Sequence, residues 1–600
     1  MIRILNARVR SLRGRADEGI AMVMVLGISV VLMLLVSVAL GVSLSGMIKS
    51  KTDETWNGAV AAAYAGIDDY KSKLANDAAY TQYGNPAAPF SAGAPVVLPP
   101  AVNPAFGLGV DGSWASIPGP NEGKKSQYRY EVDNSSYDKE GTLRVRSTGR
   151  VGAETRSIIA TLKQTGFIDF LYYTMYEIQE PPAELKERCE KYAWSAGGRN
   201  DPACKEIAFG ARDKVTGPVH SNDIIRICGR AVFDGEVTTS YDPVKSGRPA
   251  GTDAYAKISS NGTSAGCGGE IFNRGKPKVR ETVDLPPTNS AMRREVRNDL
   301  GTEVPDPGCL YTGPTRITFN GDGTMTVRSP WTKVTQVAGD PATSGTSPAK
   351  CGAPGAAGLG SATGARISVL DRNLIFVQNV PSGSSTDPNA WAGATQPTGY
   401  TAATCGQGNG LGYPVAGEYV ASIPTSYGCK NGDVFVEGNI KGQLTIASEN
   451  NTYVTGDIRY QDDASMLGLV AQNSVWVWNP VSRTGPYWDP SYGTYYSYSL
   501  LNSGSRVIQA AIVSVQHTFQ VQNYDQGGMR GDLTVVGAIA QKFRGIVRGG
   551  DNGFDKDYRY DKRLEFKAPP KFLSPVTSTF SIKNIAEVKT AFNADGTIIP

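Results

Sequence analysis

The sequence predicts a mainly β protein with one long N-terminal helix, and three observations support that fold class. The 600 residues include 69 Gly and 36 Pro, a content that favours turn-rich β structure over helical bundles. One uncharged apolar stretch runs from Gly19 to Ile48. Further along, short segments alternate apolar and polar residues, for example from Thr142 to Arg150, and a period of two is typical of half-buried strands.

The charge balance excludes a generic nucleic-acid binder. The chain has 60 basic and 56 acidic residues, a net charge of +4, whereas nucleic-acid-binding domains are strongly basic. The first eighteen residues contain five arginines and two acidic residues, and the remainder is close to neutral. A length of 600 residues predicts two or three folded units.

The uncharged stretch predicts a membrane anchor. Roughly 20 apolar residues span the bilayer core, and residues 19–48 exceed that length. A cleavable secretory signal has a shorter apolar core, of about 7–15 residues. Five arginines precede the stretch and Lys49 and Lys51 follow it, so the N-terminus is expected in the cytoplasm and everything after residue 50 outside. The sequence predicts a single-pass membrane protein.

The helical pattern continues beyond this stretch. Apolar residues recur at helical spacing as far as Leu74, and no proline interrupts the chain before Pro86, so we predict one helix over 20–76. The small residues between Ala59 and Gly66 would let other helices approach closely. The other predicted units are a cytoplasmic leader (1–19), a Pro/Gly/Ala-rich linker (77–126), an antiparallel β meander (127–164) and a large extracellular β domain (165–600).

The large β domain is predicted to be a right-handed parallel β-solenoid. Many of its short strands follow a Gly-Asp pair, as at residues 432–433, 456–457 and 531–532, and such a pair suits a sharp corner before an extended run. Repeated short strands that bury one face on the next rung are typical of solenoids. Their spacing is not constant, so a β-sandwich remains the alternative.

The N-terminal region resembles type IV pilins and pseudopilins, especially minor pilins of the PilX-like group. The resembling features are the Arg-rich leader, Gly19, the segment Ile20–Leu26 and the long helix before a small meander. The resemblance implies that a prepilin peptidase cuts between Gly19 and Ile20 and that the chain assembles with other pilins. Most major pilins carry Glu at mature position five, where this chain has Met24, and this departure favours a minor or tip subunit. An uncleaved signal anchor is the alternative.

The β domain carries a second resemblance. Residues 217–222 (GPVHSN) and 444–448 (LTIAS) look similar to the uncharacterised solenoid-type domain found behind PilX-like anchors in bacterial proteins. Together, the anchor and this domain would account for most of the chain.

All eight cysteines lie outside the predicted anchor. The chain has only two histidines, too few to favour zinc sites built from Cys and His ligands. An even number of cysteines on the oxidising side of a membrane predicts four disulfides. Sequential pairing is the simplest of many connectivities. It joins Cys189 to Cys204, Cys228 to Cys267, Cys309 to Cys351 and Cys405 to Cys429.

Few residues suggest catalysis. His220 is followed by Ser221, but no Gly-x-Ser-x-Gly motif lies near it, and adjacent strand residues face opposite sides. His517 alternates in register with apolar residues, which predicts a buried core histidine. The acidic residues between Asp551 and Asp561 are interleaved with Lys and Arg, which favours a solvated, self-paired loop over a calcium site. We therefore expect no enzyme activity, metal or cofactor.

An aromatic-rich loop near residue 490 has two interpretations. Clustered exposed aromatics form binding surfaces for partners or glycans, whereas packing over the side of the β domain is the structural alternative. The residues are Tyr487, Trp488, Tyr492, Tyr495, Tyr496 and Tyr498.

The sequence thus predicts a membrane-anchored structural component of a type IV pilus-like filament at the cell surface. A minor or tip position with an adhesion role is expected, because so bulky an external part would not repeat along a tightly packed fibre. The alternative is a surface-anchored glycan-binding protein or polysaccharide-acting enzyme with a plain signal anchor.

Overall fold

The fold is described from a computed structural model and is mainly β, with one long helix. The structure describes residues 18–118, 126–137, 141–164, 166–196, 198–199, 201–297, 307–335, 350–392, 395–421, 426–489, 494–502, 504–573 and 580–599. The leader, residues 1–17, lies outside these ranges.

The long helix, α1, spans Glu18–Asn76 and has 59 residues, about 88 Å at 1.5 Å per residue. Two short α-helices, α2 (Lys186–Cys189) and α3 (Ala402–Gln407), occur later. Short 3-10 helices cover Ala78–Gln82, Pro89–Ser91, Pro104–Phe106, Phe167–Asp169, Ala183–Leu185, Ser290–Val296 and Lys562–Glu565.

Four strands after the helix form an antiparallel sheet. They are β1 (Ala115–Ser116), β2 (Ser126–Asp133), β3 (Thr142–Val151) and β4 (Glu154–Gln164), paired in that order. A two-residue turn joins β3 to β4, and its Gly152 has φ +63°, a left-handed conformation that glycine adopts without steric cost. These strands confirm an antiparallel meander at this position.

The predicted linker was residues 77–126, and its described residues 77–118 are instead packed structure. Tyr80, Val96 and Phe106 are buried in the core between helix and sheet. The Tyr70 hydroxyl on α1 donates to the Tyr80 carbonyl oxygen at 3.0 Å. The Pro- and Gly-rich composition here produces short 3-10 turns that carry buried aromatic side chains, so composition alone was misleading.

We call residues 166–573 the large β domain, and its described residues contain 26 strands, β5–β30. They are β5 (Tyr172–Tyr176), β6 (Ala208–Phe209), β7 (Lys214–Thr216), β8 (Val219–Ser221), β9 (Arg226–Ile227), β10 (Val232–Phe233), β11 (Val237–Thr239), β12 (Ile271–Phe272), β13 (Lys278–Val279), β14 (Cys309–Thr312), β15 (Thr315–Asn320), β16 (Thr324–Arg328), β17 (Ala365–Ser368), β18 (Asn373–Gln378), β19 (Val434–Ile440), β20 (Gln443–Ser448), β21 (Thr452–Tyr460), β22 (Met466–Ala471), β23 (Val475–Val477), β24 (Val481–Asp489), β25 (Thr494–Ser499), β26 (Arg506–Ser514), β27 (Phe519–Val521), β28 (Met529–Phe543), β29 (Arg548–Gly549) and β30 (Asn552–Tyr560).

Most of these strands pair in parallel and form columns. The longest column has the order β13, β11, β8, β5, β28, β26, β22, β20, β18, β14. A second column runs β15, β19, β21, β23, β27, and a third runs β12, β10, β7, β30, β28. Antiparallel pairs are confined to β15–β16–β17, β24–β25 and β29–β30 within the described part of this domain.

The chain enters the longest column in its middle. It starts at β5, proceeds to β13 at one end, resumes at β14 at the other end, and returns to β28, which pairs with β5. Residues 283–296 lie against the outside of the column, where the Asn289 amide donates to the Ser448 carbonyl oxygen at 2.8 Å. The first strand of the domain, β5, therefore lies beside β28, one of its last strands.

Alternate side chains of the columns form the main core. In β26, Ile508, Ala510 and Ile512 point to the same side and are fully buried, and burial of each large aliphatic side chain contributes roughly 1.5–3 kcal/mol. Outside this core, Asn473 donates to Asn450, which in turn donates to the buried Asp433 at 2.6 Å.

The last strand, β31 (Phe580–Val588), leaves the large β domain and pairs antiparallel with β4. The predicted boundary of 165–600 is wrong at this end, because the large β domain is inserted between two neighbouring strands of the small sheet. A bulge between Ile582 and Asn584 shifts the register, so the regular alternation that reveals a strand is interrupted. We call residues 59–164 with 580–599 the small module.

Candidate functional site: the exposed apolar half of the helix

The first half of α1 is an apolar surface without a covering partner within the described chain. Between Met22 and Met47 every large apolar side chain is exposed, by 54–70%. Among the described residues, α1 is a helix that is long enough and apolar enough to cross a membrane, judged by length and composition. Exposure of these side chains to water is unfavourable, because apolar surface gains free energy only when it is removed from water. This half of α1 therefore requires a lipid or protein environment.

The second half of α1 packs on the small sheet. Ala59, Ala63, Ile67, Tyr70 and Leu74 are completely buried and follow helical spacing. The small residues on this face therefore let the sheet, rather than the other helices expected from the sequence, approach the helix closely.

Two glycines set the distance between helix and sheet. A Cβ atom at Gly66 would overlap the Ser147 hydroxyl oxygen, and one at Gly149 on β3 would overlap the backbone of Ala59 and Ala63. Polar contacts fix the same interface, since the Tyr130 hydroxyl donates to Asp69 at 3.0 Å. Burial raises the pKa of Tyr130 far above its usual value, so this hydroxyl remains a donor at physiological pH.

We expect Gly66→Ala to destabilise the small module by about 1–3 kcal/mol, because the added methyl forces the helix away from the sheet. That range is the net effect, after subtraction of the gain of about 1 kcal/mol from the higher helix propensity of alanine. The measurement is the thermal midpoint of the detergent-solubilised chain. Gly46→Ala is the matched control, since Gly46 lies on the same helix with nothing within 4 Å of its Cβ position. Equal midpoints for the two variants would contradict this packing.

The predicted processing residues lie at the start of this surface. Gly19 and Ile20 belong to the first turn of α1, which begins at Glu18. Met24 is 66% exposed on the apolar surface. The leader sequence before residue 18 lies outside the described residues.

The cysteines form four disulfides, all in the large β domain. The structure pairs them in sequence order, and the described residues contain no free cysteine. The bonds are Cys189–Cys204, Cys228–Cys267, Cys309–Cys351 and Cys405–Cys429. They lie far from α1 in the chain and do not contribute to its apolar surface.

The predicted aromatic loop forms the antiparallel hairpin β24–β25. Tyr498 is half exposed. Tyr487, Trp488, Tyr495 and Tyr496 lie on the two strands, and Tyr492 lies outside the described residues. The structure therefore pairs the two strands that carry these aromatic residues. Both a binding surface and packing on the side of the β domain are compatible with this pairing.

His220 is a core residue on β8. Its ring stacks with those of Phe170 and Tyr173, with centroids 5.0 and 6.0 Å away. Its nitrogens lie 2.9 Å from the Thr238 hydroxyl and 3.0 Å from the Asn222 side-chain oxygen. Burial lowers the pKa of His220 to about 4, so the ring is neutral at physiological pH.

His517 differs from its prediction as a buried core histidine. It lies in the bend after β26 ends at Ser514, where the strand alternation no longer applies. Its side chain is 27% exposed, and its Nδ1 is hydrogen-bonded to the Glu180 carboxylate.

The acidic run between Asp551 and Asp561 is paired with arginines along the same segment. Asp557 lies 2.6 Å from Arg559, and Asp561 lies 2.6 Å from Arg563. Much of the run is strand β30 rather than the expected loop.

The chain has low similarity to known proteins. No family model matches the chain, and no curated protein matches it. Among solved structures, the competence-associated pilin ComZ from Thermus thermophilus is similar to it over 89% of this chain and 97% of its own chain. The sequence identity is 11% and the TM-score 0.26, too low to support a conclusion about function.

Proposed function

We propose that this protein is a membrane-anchored component of a type IV pilus-like filament, in a minor or tip position and with an adhesion role. The observation that supports the proposal is α1 itself. Its first half is exposed and apolar while its second half packs on an antiparallel sheet. A helix of this kind inserts in a membrane before assembly and packs against other pilin helices afterwards.

The topology supports a minor position. The large β domain occupies about two thirds of the chain between β4 and β31. We propose that it is a right-handed parallel β-solenoid, because its long columns of parallel strands bury alternate side chains in one continuous core. A subunit carrying so large an insertion would obstruct its neighbours along a fibre, whereas a terminal subunit would not.

The proposed location is the cell surface, with a single membrane crossing and a cytoplasmic leader. The proposed partners are other pilins, the assembly machinery and a prepilin peptidase. The proposal includes no enzyme activity, metal or cofactor. Removal of the five leader arginines would let the helix enter an apolar filament core, since burying unpaired ions there costs several kcal/mol each.

The test is the intact mass of the protein extracted from cells with an active prepilin peptidase. We expect loss of residues 1–19 and a new N-terminus at Ile20. Gly19→Leu should retain the leader, whereas Gly27→Leu, a control on the exposed part of the same helix, should still be processed.

Retention of residues 1–19 in the unmodified protein would contradict the pilin proposal and favour the plain signal anchor. Immunogold labelling of sheared filaments separates the finer positions, since a tip subunit labels one end. Labelling along the whole fibre would contradict the minor or tip position.

A further inference from the structure

A cleft of about 1150 Å³ opens near the pairing of β5, the first strand of the large β domain, with β28, one of its last. One wall comes from residues 199–213 with Arg226, and the other comes from residues 545–556. The disulfide partner Cys204 lies in the first wall. The volume slightly exceeds that of typical small-ligand sites, roughly 300–1,000 Å³, so the cleft has room for an extended ligand.

The carboxylates of the cleft are already paired. Glu206 accepts from Arg199 at 2.9 Å and from Arg226 at 3.0 Å. Asp213 lies 3.1 Å from the Lys556 ammonium. The Arg199 side chain is completely buried, so these pairs hold the walls in fixed positions.

The two remaining carboxylates also have partners. Asp555 forms an ion pair with Arg548 across the second wall. Asp201 lies 2.8 Å from Arg188, outside the cleft. All four carboxylates that line the cleft are therefore neutralised by the protein itself.

Two cationic residues that line the cleft are not neutralised by a carboxylate of the described chain. Lys205 and Arg212 are exposed, and neither forms an ion pair within the described chain. Lining cations outnumber lining carboxylates by six to four. Since the carboxylates are neutralised, the cleft presents excess positive charge on its exposed lining and attracts anions.

We propose that this cleft binds an acidic oligosaccharide, a chain of sugar units that carry carboxylate groups. Lys205 and Arg212 would meet the carboxylates of the ligand, since charge-assisted hydrogen bonds are the stronger ones. Sugar hydroxyls, which both donate and accept, match the mixed lining of paired carboxylates, amide side chains and backbone groups. Gln179 and Asn261 supply the amides.

A nucleic-acid strand fits the same cleft less well. Its affinity depends on neutralising one phosphate per nucleotide and on aromatic side chains that stack on its bases. Two unpaired cations would meet no more phosphates than sugar carboxylates, so stacking on bases is the criterion that separates the two ligands. Phe554, the one aromatic residue among the described lining residues, is fully buried and cannot stack on a base.

The idea that this binding serves adhesion rests on the proposed function. Binding of the oligosaccharide itself does not require filament assembly. The experiment is therefore calorimetric titration of the detergent-solubilised full chain, with its disulfides intact, by a galacturonic-acid hexamer. Leader processing is measured separately, so failure of one proposal is distinguishable from failure of the other. We expect binding that weakens as salt rises, because the two cations are exposed.

The variant Lys205→Glu with Arg212→Glu should weaken binding by about tenfold or more. The matched control is Lys441→Glu with Arg248→Glu, two exposed cations outside the cleft, and it should bind like the unmodified protein. The methyl-esterified hexamer, which lacks the charges, should bind at least about tenfold more weakly.

Three results would overturn the proposal: no binding of the hexamer, equal binding by the cleft variant and its control, or tighter binding of a single-stranded DNA oligonucleotide than of the hexamer. Circular dichroism and thiol titration of both variants verify that each is folded with four disulfides, so a loss of binding reports on the cleft.

Discussion

Glu177→Ala is expected to lower the free energy of unfolding of the large β domain by about 3–5 kcal/mol, because it leaves a buried arginine without its carboxylate. Glu177 and Arg544 are at most 1% exposed and lie 2.8 Å apart. Arg544 also donates to the Ile207 carbonyl oxygen at 3.1 Å and stacks on Phe209 at 3.7 Å. Asp213, at 4.0 Å, compensates for little of the loss.

The effect should be large because of where the pair lies. Glu177 follows β5, the first strand of the large β domain, and Arg544 follows β28, one of the last. These two strands are neighbours in the longest column, so the ion pair joins the two ends of the domain's chain. Its loss should loosen the closure of the domain as well as leave a buried charge.

The measurement is urea unfolding of the solubilised chain, followed by tryptophan fluorescence. Glu236→Ala is the matched control, since Glu236 forms an ion pair with Lys278 at 2.7 Å in which both side chains are more than half exposed. Exposed pairs contribute about 0–1 kcal/mol. If the two variants unfold at the same urea concentration, the buried pair does not hold the domain closed.

The parts of the fold that depend on local pattern could be predicted from the sequence. The apolar stretch before Lys49 and the alternation from Thr142 to Arg150 each reflect one element's own periodicity, and both elements are present. Strand β31 could not be recognised because its bulge interrupts the alternation. Its pairing with β4 also joins residues that are more than 400 positions apart, which no local signal records.

The apolar half of α1 and the cleft also differ in how much of each could be predicted from the sequence. The apolar half of α1 is a continuous stretch of sequence and was predicted in full. The cleft combines Glu206 and Asp213 with Arg548 and Lys556 from the far end of the chain, and the separate segments resemble ordinary charged loops. The entry of the chain into the middle of a column brings them together, and that topology has no signature in the sequence.

Removal of the Cys309–Cys351 disulfide by a double change to Ala is expected to cost about 4 kcal/mol through the chain entropy of the unfolded state, plus a cavity cost of about 1–2 kcal/mol. The bond closes a loop of 42 residues, and both cysteines are fully buried in the main core. Before reduction, the unmodified protein should show no titratable thiol, since all eight cysteines are paired.

A comparison with the Cys228–Cys267 disulfide separates the entropic contribution from the cavity cost. It closes a loop of 39 residues, so its entropic contribution is nearly equal, but both of its cysteines are only half-buried. The Cys228→Ala and Cys267→Ala double variant should therefore lose about 4 kcal/mol without the cavity cost. Thermal midpoints of both double variants are compared with that of the unmodified protein. Equal losses would show that the core tolerates the missing sulfur atoms, and two or more free thiols in freshly isolated protein would contradict the pairing itself.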